Sequence, residues 1–269
     1  MKKLVRFHTN EGVNTTASLF RRAAGALPFI SAAVVIVIVW QIVVILTRPD
    51  PSILPPPIDV LATFGQLVRN GDLATDTAYS LARVGSAWVL SALIAVPLGL
   101  LMGASRSIEH IVNPFVELLR PISPLAWIPL AILWFGIGEA GKVFVVCIGA
   151  FFPVLLNTVA GVKGVDPTLL HAGRVFGCNT RFALFRRVLI PASMPAVVVG
   201  LRIGFGTGWA AIIAAELVAA QSGLGYLIAN GMDILRADEV LAGMVVIGIL
   251  GLLFDTFFRY LQRRFGYVD

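Results

Sequence analysis

Apolar residues fall in long blocks along this chain and do not alternate with polar ones. Blocks over 26–47, 80–103, 111–136, 142–162, 190–220 and 240–260 each approach or exceed the roughly 20 residues an α-helix needs to cross a bilayer. The first block has an apolar core ending at Leu46, interrupted only by Gln41. It is too long, and starts too deep in the chain, for a cleaved signal peptide, so it is expected to remain as a span. The third and fifth blocks are long for simple spans. They carry Pro121, Pro124 and Pro129, and Pro191 and Pro195, which predict interruptions of the kind tolerated where backbone is buried in protein or lines a cavity. Segment 55–70 opens with three prolines and then places Ile58, Leu61, Ala62, Gly65, Leu67 and Val68 at helical spacing. This predicts an amphipathic helix lying at the membrane interface. The expected fold class is an all-α integral membrane protein of about six transmembrane helices over 26–264, with tails at 1–25 and 265–269.

Composition narrows the picture. Of 269 residues, 58% are hydrophobic and 13% charged, against about 25% charged in a soluble domain. A disordered chain and most soluble enzymes are excluded, because too little charge is present to cover a water-facing surface. The net charge of +6 would suggest nucleic acid in a soluble protein, but in a membrane protein basic residues orient the chain. With the N-terminus inside, fourteen Lys and Arg fall on the cytoplasmic side and four outside, while Arg83, Arg120 and Arg202 lie within or at the edge of spans. Both termini are therefore expected in the cytoplasm, with segment 55–70 outside and loop 163–187 inside. Cys147 and Cys178 form no disulfide framework or metal spacing, and His8 and His110 are isolated, so no metal is expected.

One stretch imitates a nucleotide site. Gly136-Ile-Gly-Glu-Ala-Gly141 fits G-x-G-x-x-G, and Lys142 extends it toward a phosphate loop. The hydroxyl residue that would hold Mg²⁺ is replaced by Val143, and no acidic residue follows at 155–165. A tight glycine turn between two spans is the expectation. Any ATP chemistry must then reside on another chain.

The loop after the fourth span carries more information. Asp166-Pro167 is a helix start, with a capping carboxylate and proline at the first helical position. Residues 168–176 give two to three turns with Leu169, Leu170, Ala172, Val175 and Phe176 as apolar positions, and Gly177 is a stop. Asn179 or Thr180 would cap a second, basic helix re-entering the membrane at Val188-Leu189-Ile190-Pro191. By itself this describes either a compact cytoplasmic projection or an amphipathic loop on lipid headgroups. In the spans, Gly99-x3-Gly103, Gly200-x3-Gly204 and Gly204-x3-Gly208 allow close packing, within one bundle or between subunits. Glu216 should lie near the outer surface, where structural pairing is favoured. Arg202 would either face a path or pack between subunits, and Asp255 with Arg259 forms an i,i+4 pair. Ser193, Thr207 and Trp209 are candidates to line a path, or equally to pack helices.

The loop resembles the EAA loop of binding-protein-dependent ABC importer permeases, which pairs E-A-A-x3-G with a later I-x-L-P. The matching positions read His171-Ala172-Gly173-x3-Gly177 and Val188-Leu189-Ile190-Pro191. His171 replaces the acidic residue, Gly173 stands third, and the spacing to Pro191 is one residue longer. Further matches are Arg120-Pro-Ile-Ser-Pro-Leu-Ala-Trp-Ile-Pro-Leu130, Trp134-Phe-Gly-Ile-Gly-Glu139, Ala215-Glu-Leu-Val-Ala219 and Ser222-Gly-Leu-Gly-Tyr-Leu-Ile228. They narrow the resemblance to the nitrate/sulfonate/taurine/bicarbonate permeases, taurine-type most of all.

What this resemblance implies is a homodimeric permease of the type I importer fold in the bacterial inner membrane, with a translocation path between subunits. Two cytosolic ATP-binding subunits would hold ATP and Mg²⁺, and a periplasmic binding protein would deliver a small anion. The chain itself would be no enzyme and hold no cofactor. Asp166, Leu170, His171, Ala172, Gly173, Phe176, Gly177 and Pro191 would form the ATPase-coupling loop, and Glu216, Ser222, Gly223 and Gly225 an outer gate. A secondary transporter or channel is the alternative; it predicts internal charge relays or inverted repeats, and the sequence offers few acids and no repeat. A membrane scaffold would leave the loop and the interrupted spans without a role.

Overall fold

In a bilayer every backbone N–H and C=O must find its partner within its own segment, and the apolar blocks accordingly become helices. The structure, a computed structural model, describes residues 31–265. The N-terminal tail, the start of the first expected span and residues 266–269 lie outside the described residues. In chain order the helices are α1 (Ser31–Thr47), α2 (Pro57–Asn70), α3 (Asp72–Ala104), α4 (Arg106–Leu119), α5 (Ile128–Phe135), α6 (Glu139–Lys163), α7 (Pro167–Val175), α8 (Arg181–Leu184), α9 (Ile190–Ala219), α10 (Leu224–Asp233) and α11 (Ala237–Phe265). Among the described residues four helical rods, built on α3, α6, α8–α9 and α11, are long and apolar enough to cross a membrane, and α4 with α5 makes a bent fifth.

The expected interruptions fall differently in the two proline-bearing blocks. The third is broken: α4 and the run Pro124–Phe135 meet at 83°. Pro121 and Pro124 lack the N–H groups that would carry the ladder across 120–124. The fifth is not broken at Pro191 or Pro195. One helical rod of 39 residues runs from Arg181 to Ala219, so the expected re-entrant helix and fifth span are a single element. A wide turn over Phe185–Leu189 directly precedes Pro191, giving room where the ring would crowd the preceding turn. Segment 55–70 is helical as expected, but it buries Val60, Thr63 and Leu67. Ile58, Leu61 and Val68 of the expected stripe stay exposed. α2 carries two apolar faces, and the one that packs against α11 is pinned by Thr63 Oγ1 donating to Asp238 Oδ2 at 2.5 Å.

The centre of the molecule is α6, held between α3 and α9. Glycine permits this close approach. A Cβ on Gly99 would lie 2.7 Å from Thr158 Cβ, and one on Gly200 2.8 Å from Asn157 Cβ. Gly103, Gly204 and Gly208 likewise face Val162, Val154 and Val146. The glycine spacing thus serves packing inside one protomer. α1 stands apart, exposed on nearly every side and tied by the Trp40 indole N–H donating to the Pro55 carbonyl at 3.1 Å.

Candidate functional site: a projecting helix and a closed charge cluster

At the Lys163 end of α6 the chain leaves the bundle and forms α7. Asp166 caps it, its carboxylate accepting from the Thr168 amide at 2.7 Å, with Pro167 at the first helical position. That bond holds the Asp166 carboxyl below its ordinary range. The other end closes on Gly177 at φ +92°. The Cys178 amide reaches back to the Gly173 carbonyl at 2.9 Å and the Gly177 amide to the Arg174 carbonyl at 3.2 Å, the paired bonds of a helix stopped by a left-handed residue. Thr180, the expected alternative to Asn179, caps the next helix by accepting from the Ala183 amide at 3.1 Å.

The nine-residue α7 buries none of its residues. Leu169 is half exposed, Val175 and Phe176 are 83% and 85% exposed, and Phe182 follows at 71%. His171 is exposed, while Leu170, Ala172 and Gly173 are partly covered. Gly173 is covered by the α8–α9 rod: a Cβ there would come within 2.8 Å of Val188 Cγ2 and 3.1 Å of Leu184 Cδ1. The helix is seated on the rod that begins at Arg181, and Leu169, Val175 and the adjoining Phe176 face away from the protein. Pro191 lies on that same rod, just beyond the wide turn.

At the opposite end of the bundle, buried Arg83 is the hub of a cluster that the sequence did not single out, with Glu216 buried and Glu139 exposed beside it. Its Nε and Nη2 donate to the Glu139 carboxylate at 2.6 and 2.7 Å. Nη1 donates to Glu216 Oε1 at 2.8 Å and to the Ser222 carbonyl at 2.7 Å, and Nη2 also reaches Ser222 Oγ at 2.8 Å. All five N–H groups of the guanidinium are thereby engaged. Lys142 adds a second cation on Glu139 at 3.0 Å, so two cations face two carboxylates. Gly136, at φ +73°, makes the tight turn expected of the nucleotide look-alike, whose Glu139 and Lys142 turn out to be structural ion-pair partners.

The same cluster holds the start of α10. Its first free amides are those of Gly223, Leu224 and Gly225, and they donate to Asp76, Ser80 and Glu216 at 2.7, 2.9 and 3.0 Å. Three side chains from α3 and α9 thus satisfy a helix N-terminus that carries no cap of its own. Ser80 Oγ also lies 2.7 Å from Glu216 Oε2. Gly223 has φ +113°, and a Cβ there would fall on the Glu216 carboxylate; one on Gly225 would meet Glu216 Cβ at 2.5 Å. Glu216, Ser222, Gly223 and Gly225 are therefore brought together. Arg83, Ser80 and Asp76 complete them, and the signal in sequence was a lone arginine in an apolar block.

The four residues considered for a path are not brought together. Ser193 is 1% exposed, and its hydroxyl donates to the Ile190 carbonyl at 3.0 Å. Trp209 is 7% exposed against Phe254 and Gly251. Both face into the protomer, where α9 packs on its neighbours. Arg202 is tied to Asp255 at 2.7 Å, and Asp255 also takes the expected Arg259 at 2.5 Å. Thr207 is the exposed member, its hydroxyl 2.7 Å from the Gly149 carbonyl.

Residues 95–267 match the family model described as binding-protein-dependent transport system inner membrane component. The chain is 38% identical over 240 residues to the taurine transport system permease protein of Escherichia coli K12, covering 87% of each chain. It is 32% identical over 240 residues to the nitrate import permease protein of Synechocystis, covering 86% of each. Among solved structures, an inward-facing conformation of the MetNI methionine ABC transporter superposes with a TM-score of 0.65 at 21% identity, covering 72% of this chain and 96% of that one; this likeness concerns the fold alone. With the bent span, the seated α7 and the glycine-packed rods already in view, these matches lead to one conclusion: the chain belongs to the binding-protein-dependent transport system inner membrane components, the permease subunits of ABC transporters.

Proposed function

We propose that this chain is the permease of an importer for a small anion of the taurine, sulfonate, nitrate or bicarbonate class, working as a homodimer in the bacterial inner membrane. The substrate class rests on the names of the relatives. The N- and C-termini are assigned to the cytoplasm on the distribution of basic residues, which places α7 inside and the Arg83 cluster outside. Two cytosolic ATP-binding subunits dock on the α7 helices, and a periplasmic binding protein delivers the anion at the face that carries the cluster.

The observation that carries this reading is the geometry of α7. A helix capped at both ends, with no buried residue and with Val175 and Phe176 almost fully exposed, holds apolar surface ready for a partner. Because Gly173 seats it on the α8–α9 rod, a push on α7 is transmitted to α9. At the far end of α9, Glu216 holds the Ser222–Gly225 turn. In this reading that turn is the outer gate, and the path runs along the exposed side of α9 at Thr207. ATP and Mg²⁺ belong to the partner subunits.

The test is reconstitution of the permease with its ATPase and binding protein in vesicles. Uptake of nitrate, bicarbonate, taurine or an alkanesulfonate should require all three components and ATP. Uptake by vesicles that contain the permease alone would replace this reading with a secondary transporter or channel.

A further inference from the structure

We propose that Arg120, at the break between α4 and α5, is the cation that binds the transported anion midway along the path. This deepens the function proposed above and rests on it.

Leaving aside Arg106, Arg236 and the Arg259–Arg264 group, which stand at or near the ends of the spanning helices, four basic residues lie within or between them away from loop 163–187: Arg83, Arg120, Lys142 and Arg202. Three are neutralised. Arg83 holds Glu139 and Glu216, Lys142 shares Glu139, and Arg202 holds Asp255. Arg120 differs. Its side chain is exposed and has no ion pair or hydrogen bond among the described residues; only its backbone amide is engaged, donating to the Val116 carbonyl at 2.9 Å. The nearest carboxylate along the helix, Glu117, accepts instead from the Asn113 amide at 2.6 Å.

Its depth makes this informative. Arg120 follows the 14-residue α4, roughly 21 Å along the helix from the start at Arg106. Leu119, the residue before it, lines an apolar groove of about 520 Å³ that runs along α6 from Ala140 and Val143 in its first turns to Phe151 near its middle, beside Ser91 and Ile94 of α3. Beyond the break, Pro124 lies against Gly149, whose carbonyl takes the exposed Thr207 hydroxyl. An arginine at that level costs several kcal/mol in hydrocarbon, and irregular backbone such as the turn at 120–123 is not tolerated against lipid. Both are satisfied if the break faces a polar passage closed by a second copy of the chain. The C-terminal end of α4 offers only partial negative charge and leaves the guanidinium fork unoccupied. A planar or tetrahedral oxyanion, such as a carboxylate, sulfonate or nitrate group, matches that fork.

The test uses the reconstituted permease–ATPase–binding-protein complex, with whichever of nitrate, bicarbonate, taurine or ethanesulfonate the wild type takes up. Arg120→Gln should lower the anion imported per ATP hydrolysed by about tenfold or more, the worth of a charge-assisted hydrogen bond. Dimer assembly and the ATPase rate stimulated by the binding protein should change less than about twofold, and Arg120→Lys should recover part of the uptake. Unchanged uptake by Arg120→Gln overturns the inference alone. So does an equal loss in Glu117→Gln, which would make Arg120 half of an ion pair between subunits. If the wild type imports none of the four anions, the proposed substrate class falls and this inference with it.

Discussion

Arg83 and Glu216 meet at 2.8 Å across 133 positions of sequence, with side chains 5% and 0% exposed. The pair fastens α3 to α9 and, through the amides of Gly223 to Gly225, fixes where α10 begins. Burying two charges is costly, and the cost is offset here because Ser80, Ser222 and Glu139 complete the hydrogen bonding.

Arg83→Met should destabilise the permease by about 3–5 kcal/mol, since Glu216 would be left buried without its cation. Adding Glu216→Gln should recover a large part of that loss, because the stranded charge is removed while the carbonyl can still accept from Gly225. Thermal unfolding of the purified single and double variants measures both effects. Equal stability of Arg83→Met and wild type would show that the cluster contributes nothing net.

Gly223→Ala should disturb the same turn through sterics. Its φ of +113° disfavours a side chain, and the added Cβ would fall on the Glu216 carboxylate. A cost of about 1–3 kcal/mol is expected for the strained backbone. Uptake that needs ATP but no longer needs the binding protein would be the sign of a gate that fails to close, read in the reconstituted vesicles.

Phe176→Ala, at 85% exposure, should leave the stability of the isolated permease within about 0.5 kcal/mol. Its affinity for the ATPase subunit should fall by about 2 kcal/mol or more, as for a buried aromatic anchor at an interface. Titration of the ATPase into permease in nanodiscs separates the two. Gly177→Val, at φ +92°, should weaken docking by misdirecting α7 even though it removes no contact.

The capping of α7 sets its acid limit. The Thr168 amide lowers the Asp166 carboxyl below its unfolded value, so the ionised cap favours the folded helix. That contribution is complete above the unfolded carboxylate's pKa of about 4 and is lost as pH falls through the lower folded value. Hydrogen exchange at the Leu169 and Leu170 amides, corrected for the intrinsic pH dependence of exchange, should show constant protection from pH 8 to 5 and fraying only in stronger acid. Asp166→Ala should fray at every pH.

Much of this molecule was legible because the bilayer makes local rules decisive. Apolar block length located the membrane rods, and Asp166-Pro167 and Gly177 bounded α7 through capping and left-handed geometry, each a matter of neighbouring residues. The proline in each long block was locally ambiguous. Pro121 and Pro124 break the chain, whereas Pro195 is carried inside a continuous rod that opens with the wide turn at Phe185–Leu189. Which face of α2 is buried was likewise settled by α11, since the helix offered two apolar stripes.

The scarcity of charge determined the protein's class from sequence alone, because no arrangement of so few charged residues covers a soluble surface. The meaning of each remaining charge was decided only in three dimensions. Arg83, Arg120 and Arg202 look alike in sequence, each a single arginine in or beside an apolar block. Folding brings Glu216 to the first and Asp255 to the third from distant helices, and among the described residues it brings no carboxylate to Arg120. Electrostatic partnership acts over a few ångströms of space, and it is tertiary packing that decides which residues come that close.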